Sequence, residues 1–489
     1  MKADTPTANE PARLVVVSNR GALAYQATDQ GTVCRRTVGG LVAAIEPVLE
    51  QWGGIWVSWQ GRTPGEQGRS AGTAPLLPGH KYGTDEVRLS NAEYSDYYVG
   101  FANSCLWPLL HSFLEKCRIR PLEWQAYETV NQRFAARAVQ VSSPGALVWV
   151  HDYHLTLVPE LVRRQSPATP VALFWHVPFP PVEIFEVLPW AAQILSGMLG
   201  SDRVDFHHPT YAHNFLTCAQ RLLGAQVELD TGMVEWKGRQ VQVRALPLGI
   251  EYDTFAELAG RAEVQTRAAA IRSDLGAGVV LLGIDRLDYT KGIPERLEAF
   301  ESFLERWPGQ KGRVVLLQVG VPSRGDVPIY RDLRRHVEAL VGRINGRFGD
   351  GRYQPVVYSS RSLSREEVAA HYLAADAALV TPLRDGLNLV AKEFVATRQD
   401  RRGVLVLSRF AGAAAELPEA VLVNPYDQDG LVEAIHRAVD MLPAEQGRRL
   451  AAMQAGLATH DLKWWWQQVC SNLQDLSQSP SLAPAAAGR

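Results

Sequence analysis

The most informative pair of residues in this chain is Arg286 and Lys291, which lie five positions apart in one predicted strand-to-helix loop. The apolar run Val279–Leu282 precedes this loop as a buried strand would, and Gly292 follows the lysine. A guanidinium binds phosphate oxygens as a fork, whereas an ammonium acts as a point charge. The pair therefore predicts a clamp for the two phosphates of a sugar nucleotide, without a metal ion.

The segment Thr381–Glu393 carries a second set of polar groups. The apolar run Ala377–Val380 predicts a strand, Asp385-Gly386 predicts a turn, and a helix is expected to follow. We expect Asp385 to accept hydrogen bonds from sugar hydroxyls, Glu393 to accept from a ribose diol, and the first helical N–H groups to face sugar and phosphate oxygens. A plain Asp-Gly turn explains Asp385 equally well, but it does not explain Glu393.

Ionisable side chains also follow two apolar runs in the first half of the chain. His151-Asp152-Tyr153-His154 comes directly after Val148–Val150, and His176 follows Val171–Trp175. Because parallel strands end at the same edge of a sheet, we expect Asp152 and His176 to contribute to one site. For one of the two histidines at 151 and 154, a helix cap or a core hydrogen bond is the better interpretation.

A glycine pair, Gly39-Gly40, precedes the apolar helix predicted from Leu41. Glycines let the backbone approach a ligand, and a helix N-terminus attracts phosphate. The pair is not a GxGxxG fingerprint, because the next glycine is Gly53. Ordinary turn chemistry is the more frequent explanation of two glycines before a helix.

The elements that position these residues alternate between short apolar runs and longer segments with helical spacing. This alternation predicts an α/β fold with parallel sheets. A Pro/Gly-punctuated step at Pro247–Ile250 divides it into two series, and two such sheets would enclose a ligand in a cleft. The predicted strands lie at 14–17, 146–150, 171–175, 279–282, 314–319, 377–380 and 404–407, and the predicted helices include 255–275, 293–307 and 327–344.

Length and composition agree with a multi-domain globular protein. The chain has 489 residues, of which 46% are hydrophobic, and its formal net charge of −2 indicates neither a nucleic-acid-binding nor a disordered protein. Five cysteines without metal-ligand spacing predict neither disulfides nor a zinc site. With no signal-like apolar run and no run long enough for a membrane span, we predict a soluble cytoplasmic protein.

These motifs together resemble the trehalose-6-phosphate synthase family, the retaining glycosyltransferases of family 20. The resemblance covers nearly the whole chain. It rests on Val15–Arg20, Val38–Gly40, Leu106–Pro108, Trp149–Leu155, His176–Pro180, Arg286–Gly292, Ser323–Asp326, Gly342–Gly346, Thr381–Glu393 and Phe410–Ala414.

The resemblance implies the GT-B fold, with two facing Rossmann-like domains and an inter-domain cleft. It divides the chain into a disordered leader (1–13), an acceptor-binding domain (14–250), a nucleotide-sugar-binding domain (251–455), a helix that crosses back to the first domain (456–476) and a disordered tail (477–489). Trp464-Trp465-Trp466 is then expected to pack this crossing helix.

The implied reaction moves glucose from a nucleotide diphosphate glucose, with UDP-glucose favoured, to glucose 6-phosphate, and gives α,α-trehalose 6-phosphate with retention. It places the protein in trehalose biosynthesis and osmoprotection, with no cofactor, no metal, and no nucleic-acid or membrane partner; homo-oligomerisation stays open. Family behaviour implies front-face attack without a covalent intermediate, with the departing phosphate taking the proton and Arg286 and Lys291 stabilising its charge.

The resemblance also assigns residues to each substrate. Those implied near the reacting centre are Asp152, His176, Arg286 and Lys291. Donor-binding residues are Gly40, His176, Arg286, Lys291, Asp385, Gly386, Leu387, Asn388, Leu389, Val390 and Glu393. Acceptor-binding residues are Arg20, Trp59, Tyr98, Trp107, Asp152 and Arg324, with the two arginines on the phosphate.

One segment departs from the family pattern. Asp205–Tyr211 resembles the related glucosylglycerol-phosphate synthases, which implies glycerol 3-phosphate as an alternative acceptor. Arg20 and Arg324, in contrast, keep the trehalose-phosphate pattern. A catalytically silent, sugar-phosphate-binding regulator is an alternative of another class, although the residues whose loss would indicate it, such as Lys291 and Asp385, are present.

Overall fold

The computed structural model describes residues 12–28, 31–37, 40–61, 79–276, 278–325 and 327–478. The chain forms two compact units, one comprising 1–247 together with 465–489 and the other 248–464. The predicted disordered segments lie outside the described residues except at their inner ends. Residues 12–13 belong to a strand and residues 477–478 to a helix, so those ends of the prediction are wrong.

The first unit is built on a nine-stranded sheet in the order β5-β4-β1-β6-β7-β8-β11-β10-β9, beside a two-stranded antiparallel ribbon, β2-β3. The strands are β1 Ala12–Arg20, β2 Leu23–Thr28, β3 Gly31–Arg36, β4 Gly54–Trp59, β5 Tyr82–Glu86, β6 Ser142–His151, β7 Val171–Trp175, β8 Arg203–Phe206, β9 Gln226–Glu228, β10 Met233–Trp236 and β11 Arg239–Ala245.

The large sheet is parallel except at one edge, where β10 runs antiparallel to both neighbours. The predicted parallel sheet is thus present, and the sequence did not predict its antiparallel edge. Tight turns join β9, β10 and β11, and turns this short connect only antiparallel strands. The central strands follow the predicted pattern, since Leu14–Val17 and Val148 are buried on both faces.

Helices and irregular turns cover this sheet. The α-helices are α1 Gly40–Trp52, α2 Asn91–Glu93, α3 Trp107–Leu110, α4 Pro121–Val141, α5 Val158–Gln165, α6 Val182–Phe185, α7 Ala191–Met198 and α8 Pro209–Leu223. A 13-residue π-helix, Tyr94–Leu106, joins α2 to α3, and 3-10 turns lie at Leu114–Lys116 and Tyr153–Leu155.

The second unit is built on a six-stranded sheet in the order β14-β13-β12-β15-β16-β17, in which all pairs are parallel. Its strands are β12 Val279–Arg286, β13 Val314–Val321, β14 Val356–Ser359, β15 Ala377–Val380, β16 Val404–Ser408 and β17 Val421–Val423. The prediction of an α/β fold with parallel sheets is confirmed here, and all seven predicted strands of the chain are present.

The helices of this part of the chain are α9 Tyr252–Gly260, α10 Ala262–Leu275, α11 Ile293–Arg306, α12 Pro328–Phe348, α13 Arg365–Ala374, α14 Leu389–Thr397, α15 Gln428–Asp440, α16 Pro443–Thr459 and α17 Leu462–Gln478, with 3-10 turns at Tyr289–Lys291, Pro308–Gln310 and Gly412–Ala415. The single helix predicted at 255–275 is two helices, because the backbone at Arg261 is extended. In α11, Ile293, Leu297, Phe300 and Leu304 form the buried face.

Helix α17 packs most of its length on the first unit. Trp465 is fully buried against the rings of Trp149 and Phe174, and the indole N–H of Trp466 donates to the carbonyl of Ala44 at 2.9 Å. Trp465 and Trp466 thus pack this helix, as was predicted for the tryptophans. None of the helices in the described part of the chain is both long and apolar enough to cross a membrane.

Candidate functional site

The loop after β12 holds the predicted phosphate clamp. Arg286 is the last residue of β12 and is exposed, and Lys291 ends the 3-10 turn that follows. Gly292 adopts a left-handed φ of 64°, and a Cβ there would clash with the carbonyl oxygen of Thr381. Glycine is needed at this position because the loop packs directly on the end of β15.

Lys291 and Asp385 form an ion pair, with 2.5 Å between Nζ and Oδ2. The amide of Asn388 donates to the same carboxylate oxygen at 3.0 Å. The backbone at Asp385 is bridged to Ala411, and its N–H donates to the carbonyl of Phe410. The structure thus brings together two residues that lie 94 positions apart in the sequence. A bound sugar nucleotide would have to replace this ion pair with its own phosphates and hydroxyls.

The turn leading into α14 has the form expected of a helix N-terminus beside a ligand. Asn388 is the N-cap, with a left-handed φ of 78°, and its side chain accepts a hydrogen bond from the N–H of Ala391 at 3.2 Å. Gly386 and Leu387 are buried, while Leu389 and Val390 are half-buried. Gly412 packs so closely on the carbonyl of Gly386 that a Cβ would clash, which fixes the turn.

A fully buried arginine, Arg296 in α11, holds the loop in place. Its Nη1 donates to Asp285 at 2.5 Å and to Gln318 at 2.9 Å, and its Nε donates to the hydroxyl of Thr381 at 3.0 Å. Its Nη2 donates to the backbone carbonyl of Lys291 at 3.3 Å. One guanidinium therefore joins β12, β13 and the residue after β15 to the backbone of Lys291.

Asp288 lies at the centre of the cationic loop and is fully buried. Its Oδ1 accepts hydrogen bonds from the N–H and hydroxyl of Thr290, and its Oδ2 accepts from Arg324 at 3.1 Å and Tyr330 at 3.3 Å. Burial by itself would raise the pKa of this carboxyl. The charges of Arg324, Arg286 and Lys291 outweigh burial, so that the pKa of Asp288 lies below its ordinary value.

Arg324 adopts a left-handed backbone conformation, with a φ of 46°, that a non-glycine residue rarely takes. Its guanidinium is mostly buried and donates to Tyr330 at 2.6 Å as well as to Asp288. The predicted acceptor-phosphate arginine therefore belongs to the second unit, beside the predicted diphosphate clamp.

Glu393 projects from α14 and is half-buried. Burial raises the pKa of its carboxyl, and the hydroxyl of Tyr372, which donates to Oε2 at 2.9 Å, acts in the opposite direction. A carboxyl held by a single donor keeps acceptor capacity for further hydroxyl groups. The geometry is compatible with the predicted ribose contact.

In the first unit, Arg20 stacks on aromatic rings. It pairs in register with Trp59 of β4, and its guanidinium carbon lies 4.0 Å from the centre of that indole and 5.6 Å from the centre of the Tyr98 ring. Tyr94 packs on both rings. The rings orient the guanidinium, a geometry suited to recognition of an anion.

The π-helix Tyr94–Leu106 positions the tyrosines of this cluster. Side chains within it bond to backbone carbonyls five residues earlier, Asn103 to Tyr98 at 2.7 Å and Ser104 to Val99 at 2.7 Å. π-helical turns are rare and occur mostly at functional sites. No sequence signal for this element was recognised, because its apolar positions do not repeat as they do in an α-helix.

Trp107 lies in an aromatic group beside Tyr98. Its neighbours are His111 at 4.2 Å and Tyr153 at 5.7 Å between ring centres. His154 lies between Tyr153 and Tyr98, and packs on both. The rings of Tyr153 and His154 thus connect Trp107 with Tyr98.

Asp152 and His176 meet, as expected for successive strand ends. Asp152 adopts a left-handed φ of 71°, its N–H donates to the carbonyl of Phe174, and its Oδ1 accepts from the N–H of His176 at 3.3 Å. Backbone strain of this kind is concentrated at functional sites.

The imidazole of His176 lies between two others. His176 Nε2 is 3.0 Å from Nδ1 of His151, and its Nδ1 is 3.1 Å from Nε2 of His207. Burial lowers the pKa of His176 to about 3, and burial together with the nearby His176 lowers that of His151 well below its ordinary value. His151 thus forms the core hydrogen bond that was predicted for one of the two histidines at 151 and 154.

Two further features of the first unit concern ligand binding. Gly40 is the exposed first residue of α1, while Val38 and Gly39 lie outside the described residues. Glu46, Glu50 and His80 place three possible metal-ligand atoms within 4.8 Å of one another. Arg36 bonds to both Glu46 and His80, which makes the cluster an ion-pair network.

The structure thus groups the predicted residues by unit. Arg286, Lys291, Arg324, Asp385–Val390 and Glu393 lie in the second, and Arg20, Gly40, Trp59, Tyr98, Trp107, Asp152 and His176 lie in the first. Sequence reasoning missed the residues that hold them, namely Tyr94, His207, Asp288, Arg296, Tyr330 and Tyr372. The sequence could have indicated that Arg296 is buried, because this arginine falls on the apolar face of a predicted helix.

Comparison with known proteins finds relatives that match nearly the whole chain in sequence and in structure. The model of glycosyltransferase family 20 matches residues 12–475. A trehalose-6-phosphate synthase of Mycolicibacterium gilvum is 42% identical over 470 residues, covering 93% of this chain and 92% of that protein. A bifunctional trehalose-6-phosphate synthase/phosphatase of Thermoproteus tenax is 43% identical, and the match spans 93% of this chain but only 62% of that relative.

Solved structures match over the same extent. A UDP-forming α,α-trehalose-phosphate synthase from Burkholderia xenovorans superposes with a TM-score of 0.87 at 34% identity, covering 96% of this chain and all of that one. A trehalose-6-phosphate protein from E. coli bound with UDP-2-fluoro glucose gives 0.86 at 33% identity, covering 96% and 99%.

Proposed function

Because the chain belongs to glycosyltransferase family 20, we propose that it is a retaining glucosyltransferase that moves glucose from UDP-glucose to glucose 6-phosphate and forms α,α-trehalose 6-phosphate. The ion pair between Lys291 and Asp385, next to Arg286, is the observation that supports this most directly. It holds one cation for a diphosphate and one anion for sugar hydroxyls at adjoining strand ends, where ligands of parallel sheets bind.

On the donor side, Arg286 and Lys291 bind the diphosphate oxygens, and Asp385, released from Lys291, accepts hydrogen bonds from the glucose hydroxyls. Glu393 accepts from the ribose diol, and the turn Gly386–Val390 and Gly40 contribute backbone contacts. The two cations then stabilise the negative charge that develops on the leaving diphosphate, which is the largest contribution such groups make to catalysis.

On the acceptor side, Arg20 and Arg324 bind the phosphate dianion, and Asp152 lies close to the reacting centre. Trp59, Tyr98 and Trp107 line the sugar, and His176 lies beside the donor glucose. The bond between the anomeric carbon and the diphosphate oxygen breaks as the acceptor oxygen bonds to the same face of that carbon. The acceptor's hydroxyl proton passes to the departing diphosphate, so no protein group needs to take it up.

Glycerol 3-phosphate is the second candidate acceptor, because the segment 205–211 resembles glucosylglycerol-phosphate synthases. An assay with UDP-glucose and each phosphate in turn separates the two. We expect UDP release and a non-reducing disaccharide phosphate with glucose 6-phosphate alone. Turnover confined to glycerol 3-phosphate would reassign the acceptor, and binding of sugar phosphate without turnover of either would indicate the regulatory homologue. Cytoplasmic location and the oligomeric state stay predictions.

A further inference from the structure

Three histidines form a continuous chain along one edge of the first unit's sheet. His151 ends β6, His176 directly follows β7, and His207 directly follows β8, and these three strands are neighbours in the sheet. The ring nitrogens are 3.0 Å apart at the first junction and 3.1 Å at the second. Both ring nitrogens of His176 are therefore engaged by other imidazoles.

A neutral imidazole has one N–H and one lone pair, so the chain has two arrangements. In the first, His151 Nδ1–H donates to His176 Nε2, and His176 Nδ1–H donates to His207 Nε2. In the second, both bonds run the other way. Burial lowers the pKa values of both His151 and His176, which favours the neutral form of the two rings.

The far nitrogen of His151 distinguishes the two arrangements. Its Nε2 is buried and has no hydrogen-bond partner among the described residues. In the second arrangement this atom carries a buried N–H without an acceptor, whereas in the first it carries only an unused lone pair. Because buried N–H groups without an acceptor are the rarer defect, the first arrangement is favoured.

We propose that His207 is a positioning residue that fixes His176 as its Nδ1–H tautomer and holds the ring in place. Since both nitrogens of His176 are engaged, its side chain lines the donor site as a neutral ring and exchanges no proton with the substrates. The contact with the donor rests on the proposed function, whereas the tautomer does not.

The segment 205–211 thereby gains a specific role. This segment carries the resemblance that implies the alternative acceptor, yet its residue His207 contacts the histidine predicted beside the donor sugar. His208, the next residue, acts differently, because its ring accepts a hydrogen bond from the N–H of Thr210 and caps α8. These adjacent histidines provide a matched pair of variants.

The first test reads the tautomer directly. Long-range ¹H–¹⁵N spectra of the histidine-labelled protein, assigned through single variants, are expected to show His176 with a protonated Nδ1 and a bare Nε2. In His207→Leu, that protonation pattern is expected to change, and in His208→Gln it is expected to persist. A protonated Nε2 on wild-type His176, or an unchanged pattern in His207→Leu, would overturn the proposal.

The second test is kinetic. A ring displaced by about 1 Å can lower turnover by as much as ~10²-fold, so we expect His207→Leu to lower kcat strongly with little change in the KM of the sugar phosphate. His207→Gln should restore most of the rate, because its carbonyl accepts the same N–H, and His208→Gln should affect only stability. Wild-type kcat in His207→Leu would contradict the positioning role. Absence of turnover in every variant and in the wild type would contradict the proposed function and leave the tautomer result standing.

Discussion

The two groups of predicted site residues are held in opposite ways. In the second unit, Arg286, Lys291 and Arg324 surround the buried carboxylate of Asp288, and Lys291 is also paired with Asp385. In the first unit, Arg20 is oriented by aromatic rings, and His176 is held by two imidazoles. Charge organises one region, and neutral stacking and hydrogen bonds organise the other.

The difference indicates how each region meets a ligand. Carboxylates within a cationic cluster partly neutralise it before a ligand binds. Under the proposed function, an incoming diphosphate therefore replaces a carboxylate as the partner of the cations, and no uncompensated positive site has to exist beforehand. A framework of neutral rings contributes shape and orientation. The five experiments below test this contrast, beginning with the largest expected effect.

Removal of the clamp's guanidinium should be the most damaging change. Arg286→Ala is expected to lower kcat/KM by about 10³-fold. The variant lacks the positive charge that stabilises the negative charge developing on the leaving diphosphate. Initial rates of UDP release provide the measurement. The control is Arg335→Ala, which removes an exposed arginine of α12 that pairs with Asp332. Near-wild-type turnover of Arg286→Ala would refute the assigned role.

Asp288→Asn tests the charge compensation. Loss of one partner of a buried pair is expected to reduce the free energy of unfolding by about 3 kcal/mol and to raise the KM for the sugar phosphate, because Arg324 loses its anchor. Asp85→Asn breaks a comparable buried pair with Arg137 and should reduce stability alone. Equal kinetic effects in the two variants would contradict a specific role for Asp288.

The same carboxylate predicts a pH dependence of stability. Since the pKa of Asp288 is lowered in the folded protein, its contribution is fully present above the ordinary value of 3.8 and is lost as the pH falls through the folded-state value. Urea unfolding across this acidic range should show a loss in the wild type that Asp288→Asn lacks. Parallel curves for the two proteins would contradict the lowered pKa.

In the neutral region, Arg20→Lys keeps the charge and removes the fork and much of the stacking on Trp59. We expect the KM for the sugar phosphate to rise about 10-fold with the donor KM unchanged, because lysine binds phosphate as a point charge. Arg164→Lys, at an exposed helical pair with Glu160, is the control. A larger rise in the KM of the donor than in the KM of the sugar phosphate would indicate that Arg20 binds the donor instead of the acceptor.

Tyr372→Phe should have the smallest effect. Loss of one hydrogen bond to Glu393, worth about 1 kcal/mol, is expected to raise the donor KM about 5-fold. Because the hydroxyl opposes the burial that raises the pKa of Glu393, the variant's pKa should lie higher, and the KM defect should grow as the pH is lowered. Tyr353→Phe removes a remote hydroxyl that donates to the Val314 carbonyl and is the control. A defect independent of pH would contradict the effect on Glu393.

The sequence predicted elements well where local pattern and burial agree. The strands around Val171–Trp175 and Ala377–Val380 were assigned to the residue, because a strand covered on both faces must be apolar throughout. Short strands such as Met233–Trp236 were missed, because a partly exposed antiparallel strand carries no continuous apolar run. The π-helix was missed for the same reason, since its hydrogen bonds do not follow an α-helical repeat.

By itself, the sequence determined the α/β architecture, the family and the chemical types gathered at the strand ends, because hydrophobic patterning and short motifs are local properties. Only the tertiary structure decided which side chains are partners. Lys291 faces Asp385, His207 reaches His176, and Asp288 is shared among cations from separate segments. Such pairings depend on strand order and on the burial of charges and N–H groups, and these properties exist only once distant segments have packed together.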